Sequence, residues 1–252
     1  MASKVKTYLY VLKLTFVTAA ILAGLYNVLE PIHQTNKKNA KRKSILKCIP
    51  DLSINDDVKA QFEESIQIAA VTENGQAFTS KDELNGFRPS EYQYDDLTDL
   101  DLSVEERKVK EKAKRVAPLY TYTGTDGRKT YIIALIGKGL WDKIWGYVAF
   151  DENMIVKGVS FDHKAETPGL GAEIKDSKDF KNAFQNKQIF KGKNVLLSVK
   201  KKGLNQKYDV KTISGATVTS DGVDDMLKVG FNFYLSYFEK MVEKGELAYR
   251  FK

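Results

Sequence analysis

Residues 119–161 read LYTYTGTDGRKTYIIALIGKGLWDKIWGYVAFDENMIVKGVSF. Leu119–Thr123 and Thr130–Ile136 are rich in β-branched and aromatic residues. Gly124, Thr125, Asp126, Gly127 and Arg128 separate them, which predicts a hairpin. Trp145–Phe150 and Met154–Phe161 repeat the arrangement around Asp151, Glu152 and Asn153. Further strands are expected at Asn194–Val199 and Tyr208–Ile213, and no internal repeat is present. Strands clustered between helical stretches give an α+β domain.

On the N-terminal side, Asn55–Ile66 has helical character with Asn55 as N-cap, followed by a strand through Ala70 and a turn at Asn74 and Gly75. Asp95–Asp101 carries four acids in seven positions and reads as a solvated loop before a helix over Glu105–Arg115. The last helix is expected from near Ser220, with Val223, Met226, Leu227, Tyr234, Phe238 and Met241 on one face. Thr219 or Ser220 can cap it, and Asp221, Asp224 and Asp225 suit its dipole.

Tyr8–Leu29 is almost wholly apolar, with Lys13 the one charge. At about 1.5 Å per residue it spans a hydrocarbon core of roughly 30 Å, so it reads as a single-pass membrane anchor. Tyr8, Tyr10 and Tyr26 lie near its ends as interfacial aromatics do. A cleaved signal peptide is the competing reading, but no small-x-small cleavage site follows the run. Pro31 to about Leu52 is polar and basic and reads as a juxtamembrane helix. The expected boundaries are therefore an anchor over 1–30, a juxtamembrane and N-terminal part over 31–118, and a ligand domain over 119–252. Lys4 and Lys6 precede the anchor, whereas Lys37, Lys38, Lys41, Arg42, Lys43 and Lys47 follow it. Counting positive charges keeps the domain in the cytoplasm, a rule that weakens for long domains.

With 252 residues, 42% apolar and 11% aromatic, the chain can bury a sizeable core. The net charge of +7 comes from 40 basic and 33 acidic residues that interleave, most densely in Glu105–Arg115, which marks a solvated helix face. No nucleic-acid partner is expected. Cys48 is the single cysteine, and the two histidines, His33 and His163, are far apart, so no cluster or metal site is expected. Any electron traffic requires an organic cofactor.

Two short runs carry the chemistry. Ser214, Gly215, Ala216 and Thr217 precede Val218, Thr219 and Ser220, placing the Thr217 hydroxyl beside two nearly side-chain-free residues and just before a helix N-terminus. Free amides there suit a phosphate, although the same tetrapeptide also makes an ordinary turn. Upstream, His163–Ile174 forms a loop in which Pro168 stiffens the chain, Gly169 and Gly171 allow close approach, and Leu170 offers an apolar surface to a flat ligand. A plain Pro-Gly turn is the alternative.

The first run resembles the flavinylation motif of the FMN-binding domains of sodium-translocating NADH:quinone reductases and Rnf complexes. The second, Glu166–Ile174, resembles that family's other signature. Lys138, Gly139, Leu140, Trp141 and Asp142, then Trp145, Gly146 and Tyr147, resemble its glycine-leucine-tryptophan segment and following strand. The resemblance implies FMN covalently bound to Thr217 through a phosphoester, supported by Ser214, Gly215 and Ala216. It implies Glu166, Thr167, Gly169, Leu170, Gly171 and Trp145 as flavin neighbours, and no catalytic residue beyond the flavin. The implied partners are the other subunits of a membrane complex, membrane lipid and a flavin transferase. The implied place is the bacterial inner membrane, with the soluble domain on the outer side, against the charge count. Resemblance continues through the anchor, Gln34–Leu46 and Val116–Tyr120, and points to the quinone-reductase branch rather than to the G subunit of Rnf, which usually lacks so long a segment as 53–118. One residue departs: the transferase usually recognises an acid three residues before the serine, and this chain has Lys211 there, with Asp209 two positions earlier. Lys211 is a candidate for neutralising the phosphate. A scaffold without flavin is the reading from another class. Tyr92, Tyr94 and Trp141 are candidate interface anchors, with core packing as the alternative.

Overall fold

The computed structural model of the chain describes residues 2–50, 52–108 and 114–251. Helix α1, Ala2–Leu46, contains the apolar run and continues through Pro31. Proline lacks the N–H for one intrahelical bond. Leu12, Phe16 and Leu22 are exposed on it, and by length and composition it is a candidate membrane span. The expected juxtamembrane helix is thus the same helix carried on to Leu46, and Asp51, near its expected end, lies outside the described residues.

The chain divides into two compact units, Met1–Arg42 and Lys43–Lys252. In the second, the end of α1 is followed by α2, Val58–Ser65, capped by Asp57 rather than Asn55; the Asp57 side chain accepts the Ala60 N–H. Strand β1, Ile66–Thr72, turns at Gly75 into β2, Ala77–Phe78. Helix α3, Lys81–Phe87, is capped by Ser80. The acidic run beyond it is not a solvated loop: a short 3-10 turn over Leu97–Asp99 buries Leu97 and Leu100. Helix α4 covers Leu102–Lys108, earlier than expected, and residues 109–113 of the expected Glu105–Arg115 helix lie outside the described residues.

The two expected hairpins form as β3, Val116–Thr123, with β4, Lys129–Lys138, and β5, Lys143–Phe150, with β6, Val156–His163. These strands join β1 and β2 in one antiparallel sheet of order β2-β1-β3-β4-β5-β6. Because β1 pairs with β3, residues 66–78 belong to the same sheet as the ligand domain, across the boundary expected at 118. Helices α5, Glu173–Asp176, and α6, Lys178–Asn182, cover β6. The segment expected as one strand over Asn194–Val199 is split. Strand β7, Phe190–Lys191, pairs with β8, Asn194–Val195, while β9, Ser198–Lys200, pairs in parallel with β10, Asp209–Lys211. The split occurs because the amides of Leu196 and Leu197 both bond the Ile189 carbonyl.

The sheet is buried on both faces, which is why its central strands are apolar throughout rather than alternating. Tyr131, Ile133, Leu135, Val148 and Phe150 face one core, and Ile132, Ala134, Tyr147 and Ala149 face the other. Cys48 lies in the second, and burial pushes its thiol up, leaving it unreactive. Helix α7, Thr217–Glu243, packs on β4 in the first core, burying Val223, Met226, Leu227, Phe231, Tyr234, Phe238 and Met241.

Close approach fixes how α7 lies against the end of β4. A Cβ on Gly222 would collide with the Lys138 carbonyl oxygen, a backbone atom with no rotamer to yield. Gly222→Ala is therefore expected to destabilise the fold by about 1–3 kcal/mol, despite alanine's better helix propensity. Urea unfolding of the two chains checks this; an unchanged or raised midpoint would show that α7 does not rest on β4 as described.

Candidate functional site

The start of α7 is set by a tight turn. The Ala216 N–H donates to the Ile213 carbonyl at 3.2 Å, and Gly215 between them has φ +78°, a conformation that favours glycine. Thr217 is the first residue of the helix rather than a residue ahead of it, and it is exposed together with Ser214, Gly215 and Val218. The N-cap is Ala216, which has no side-chain oxygen to offer the first-turn amides.

Neither expected cap serves that role. Thr219 and Ser220 are buried inside the first turn. The Thr219 hydroxyl donates to Glu166 Oε2 at 2.6 Å, and Ser220 Oγ accepts the Ile213 N–H at 3.1 Å. The result is a 27-residue helix whose positive end lacks a side-chain cap.

The second loop follows β6. The Thr167 carbonyl accepts from the amides of both Leu170 and Ala172 at 3.1 Å, and Gly169, just before Leu170, has φ +73°. This turn leaves Thr167, Pro168 and Gly169 exposed and Leu170 at 43% exposure. Leu170 touches the first motif: a Cβ on Gly215 would lie 2.8 Å from Leu170 Cδ2. Two runs far apart in sequence therefore form one surface.

A third loop, Gly139–Asp142 between β4 and β5, joins them. Trp141 donates its backbone N–H to Glu166 Oε1 at 3.0 Å and its Nε1–H to Thr167 Oγ1 at 3.1 Å, while the residue as a whole is 66% exposed. Asp142 pairs with Lys164 at 2.8 Å, and hydrogen bonds from that lysine and from the Lys143 amide hold its carboxyl below the usual range. A groove of about 570 Å³ adjoins this loop, lined by Ile136, Lys138, Trp141, Asp225, Met226 and Val229 among others.

Trp145, Glu166 and Gly171, expected as flavin neighbours, do not lie on the exposed surface that the two motifs form. Trp145 shares, by strand alternation, the sheet face of Tyr147 and Ala149, opposite α7. It is Trp141 that the structure brings to the two motifs, and its signal in the sequence was a tryptophan in a Gly-containing turn, where no strand face demands one. Glu166 is 4% exposed and lies beneath the exposed turn, as does buried Gly171. Lys211 is exposed at the end of β10. Asp209 is no surface substitute for the missing acid: it is 3% exposed, accepts the Asn205 N–H at 2.8 Å and pairs with Lys200 at 3.0 Å. Among the described residues no group of three or more His, Cys, Asp or Glu side chains could hold a metal.

The FMN-binding domain family matches residues 139–231, a span that encloses all three loops and the first half of α7. The chain is 28% identical to the C subunit of the Na+-translocating NADH-quinone reductase of Pseudomonas aeruginosa, over 94% of this chain and 97% of that protein. It is 28% identical to the corresponding protein of Neisseria meningitidis serogroup A, over 95% of both. The crystal structure of the Parabacteroides distasonis counterpart has a TM-score of 0.68 and 31% identity, covering 83% of this chain and 96% of that one. Shewanella oneidensis NqrC shares the fold, with a TM-score of 0.67 at 21% identity.

Proposed function

This chain belongs to the NqrC family, the C subunits of the Na+-translocating NADH-quinone reductases, and from that membership we propose that it carries FMN esterified to Thr217 Oγ1. It is an electron-transfer subunit of that membrane complex. The observation that carries the attachment site is the exposed Thr217 at the first position of a long helix without a side-chain cap, with the Gly215 turn beside it.

The residues present fit the cofactor. First-turn amides and the helix dipole suit a phosphate at Thr217. Leu170 and Trp141 present exposed apolar surface next to the attachment point, as a flat aromatic ring requires. FMN supplies the redox chemistry, while the chain holds it in place; an ester prevents its loss from an open surface. In loading, Thr217 Oγ1 would bond the FMN phosphorus as the P–O bond to the donor nucleotide's leaving group breaks and the hydroxyl proton is lost, so that the adduct equals FMN minus water.

Helix α1, long and apolar enough to cross a membrane, anchors the chain in the bacterial inner membrane as a single pass, in contact with lipid and with the other subunits; the resemblance to the family, against the count of flanking positive charges, favours the outer side for the soluble unit. A flavin transferase loads it there. The reach of the match, 94% of this chain, leaves no room to omit residues 53–118, which favours the quinone reductase over Rnf. Lys211 in place of the usual acid, with Asp209 buried, favours the second reading, a scaffold without flavin.

Intact mass of the full chain, co-expressed with a flavin transferase and denatured before measurement, separates the two. An adduct of FMN minus water, mapped to Thr217 by peptide fragmentation, is expected. An unmodified chain would leave the scaffold.

A further inference from the structure

We propose that Glu166 is a positioning residue: it does not contact the flavin but clamps together the three segments that form its seat. This rests on the attachment of FMN at Thr217. A carboxylate is rarely buried without partners, and Glu166, at 4% exposure, forms no ion pair among the described residues. Its two oxygens are instead divided between two segments. Oε1 accepts the Trp141 backbone N–H at 3.0 Å, and Oε2 accepts the Thr219 hydroxyl at 2.6 Å. Its own amide donates to His163 Nδ1 at 3.1 Å, tying the loop back to β6.

The space around the carboxylate is shaped for it. A Cβ on Gly139 would meet Oε1 and a Cβ on Gly171 would meet Oε2, so two glycines, one from each loop, make room for the same side chain. Trp141 is thereby held at both ends by consecutive residues: its backbone by Glu166 and its indole by Thr167. On the other side, Thr219 lies two residues beyond Thr217 in the same helical turn. Fixing the Thr219 hydroxyl fixes the rotation of that turn about the helix axis, and with it the direction in which Thr217 points. Glu166 thus sets the aromatic wall and the attachment point relative to one another.

The test uses the full chain in its unflavinylated form, incubated with a flavin transferase and its flavin nucleotide donor. Glu166→Ala cuts both links, Thr219→Val cuts only the helix link, and Glu166→Gln can keep both, its oxygen accepting from Trp141 and its amide donating to Thr219. Misplacement of a reacting group by an ångström costs about 100-fold, so covalent loading is expected to slow roughly 10- to 100-fold in E166A and T219V and to stay within about threefold in E166Q. In a Trp145→Phe background, the emission of Trp141 before loading should shift in E166A but not in T219V, which a general loss of stability would not produce.

Loading of either E166A or T219V at the unsubstituted rate overturns the clamp. So does E166Q as slow as E166A. If E166A fails to fold, T219V and E166Q decide. Failure of the attachment reading looks different: the unsubstituted chain itself would take no flavin.

Discussion

Thr217→Ala leaves the chain without covalent flavin. The substitution removes one hydroxyl at the first position of α7, where alanine is an excellent helix former, so the helix and the sheet beneath it persist. Ser214 and Thr167 remain as exposed hydroxyls nearby. Neither sits at the first turn of a helix, so neither inherits the flavin. Intact mass of the denatured variant, produced beside a flavin transferase, should show the bare chain, and Thr217→Ser, which restores a hydroxyl at that position, should recover part of the adduct. A stoichiometric adduct on T217A would move the attachment elsewhere.

Arg88→Met costs about 3–5 kcal/mol of stability, because it strands a buried carboxylate. Arg88 and Glu105 are almost wholly enclosed, with side chains 1% and 3% exposed and Nη1 3.0 Å from Oε1, although that contact lacks the direction of a good hydrogen bond. Glu105 also accepts the Tyr94 hydroxyl at 2.5 Å and the Val116 N–H at 3.1 Å. Burial, then the bond to Glu105, pushes the Tyr94 phenol up. These contacts tie residues 88–105 to the start of β3, so loss of the guanidinium leaves a charge in the seam between the N-terminal part and the sheet. Urea unfolding in detergent measures the cost. The double variant Arg88→Met, Glu105→Leu should regain much of it, since no buried charge remains unpaired. A double variant as weak as R88M would mean that packing rather than charge sets the loss.

Legibility differed by the range of the interactions involved. Both hairpins stood out because turn residues and β-branched runs are local, and their strands lie within a few residues of the expected ends. The apolar run Tyr8–Leu29 fell inside a helix for the same reason. Caps and short elements were less legible. Asp57 rather than Asn55 caps α2, and Leu97 and Leu100 turn inward from an acidic run because they join Ala70, Leu84 and Val116 in a small core of their own beside β1. Local polarity does not report that demand.

The site divides along the same line. By itself the sequence determined that the chain has a helix fit to cross a membrane, an α+β domain, and two motifs whose residue types suit a phosphate and a flat ring, since each of these depends on neighbours in the chain. Only the tertiary structure decided that Leu170 meets Gly215, that Trp141 and not Trp145 stands at the motifs, and that Glu166 lies beneath the site with both oxygens taken. Residues from loops after β4 and β6 meet the first turn of α7 only because α7 packs on β4 through Gly222, and no local rule states where a packed helix will begin its contact.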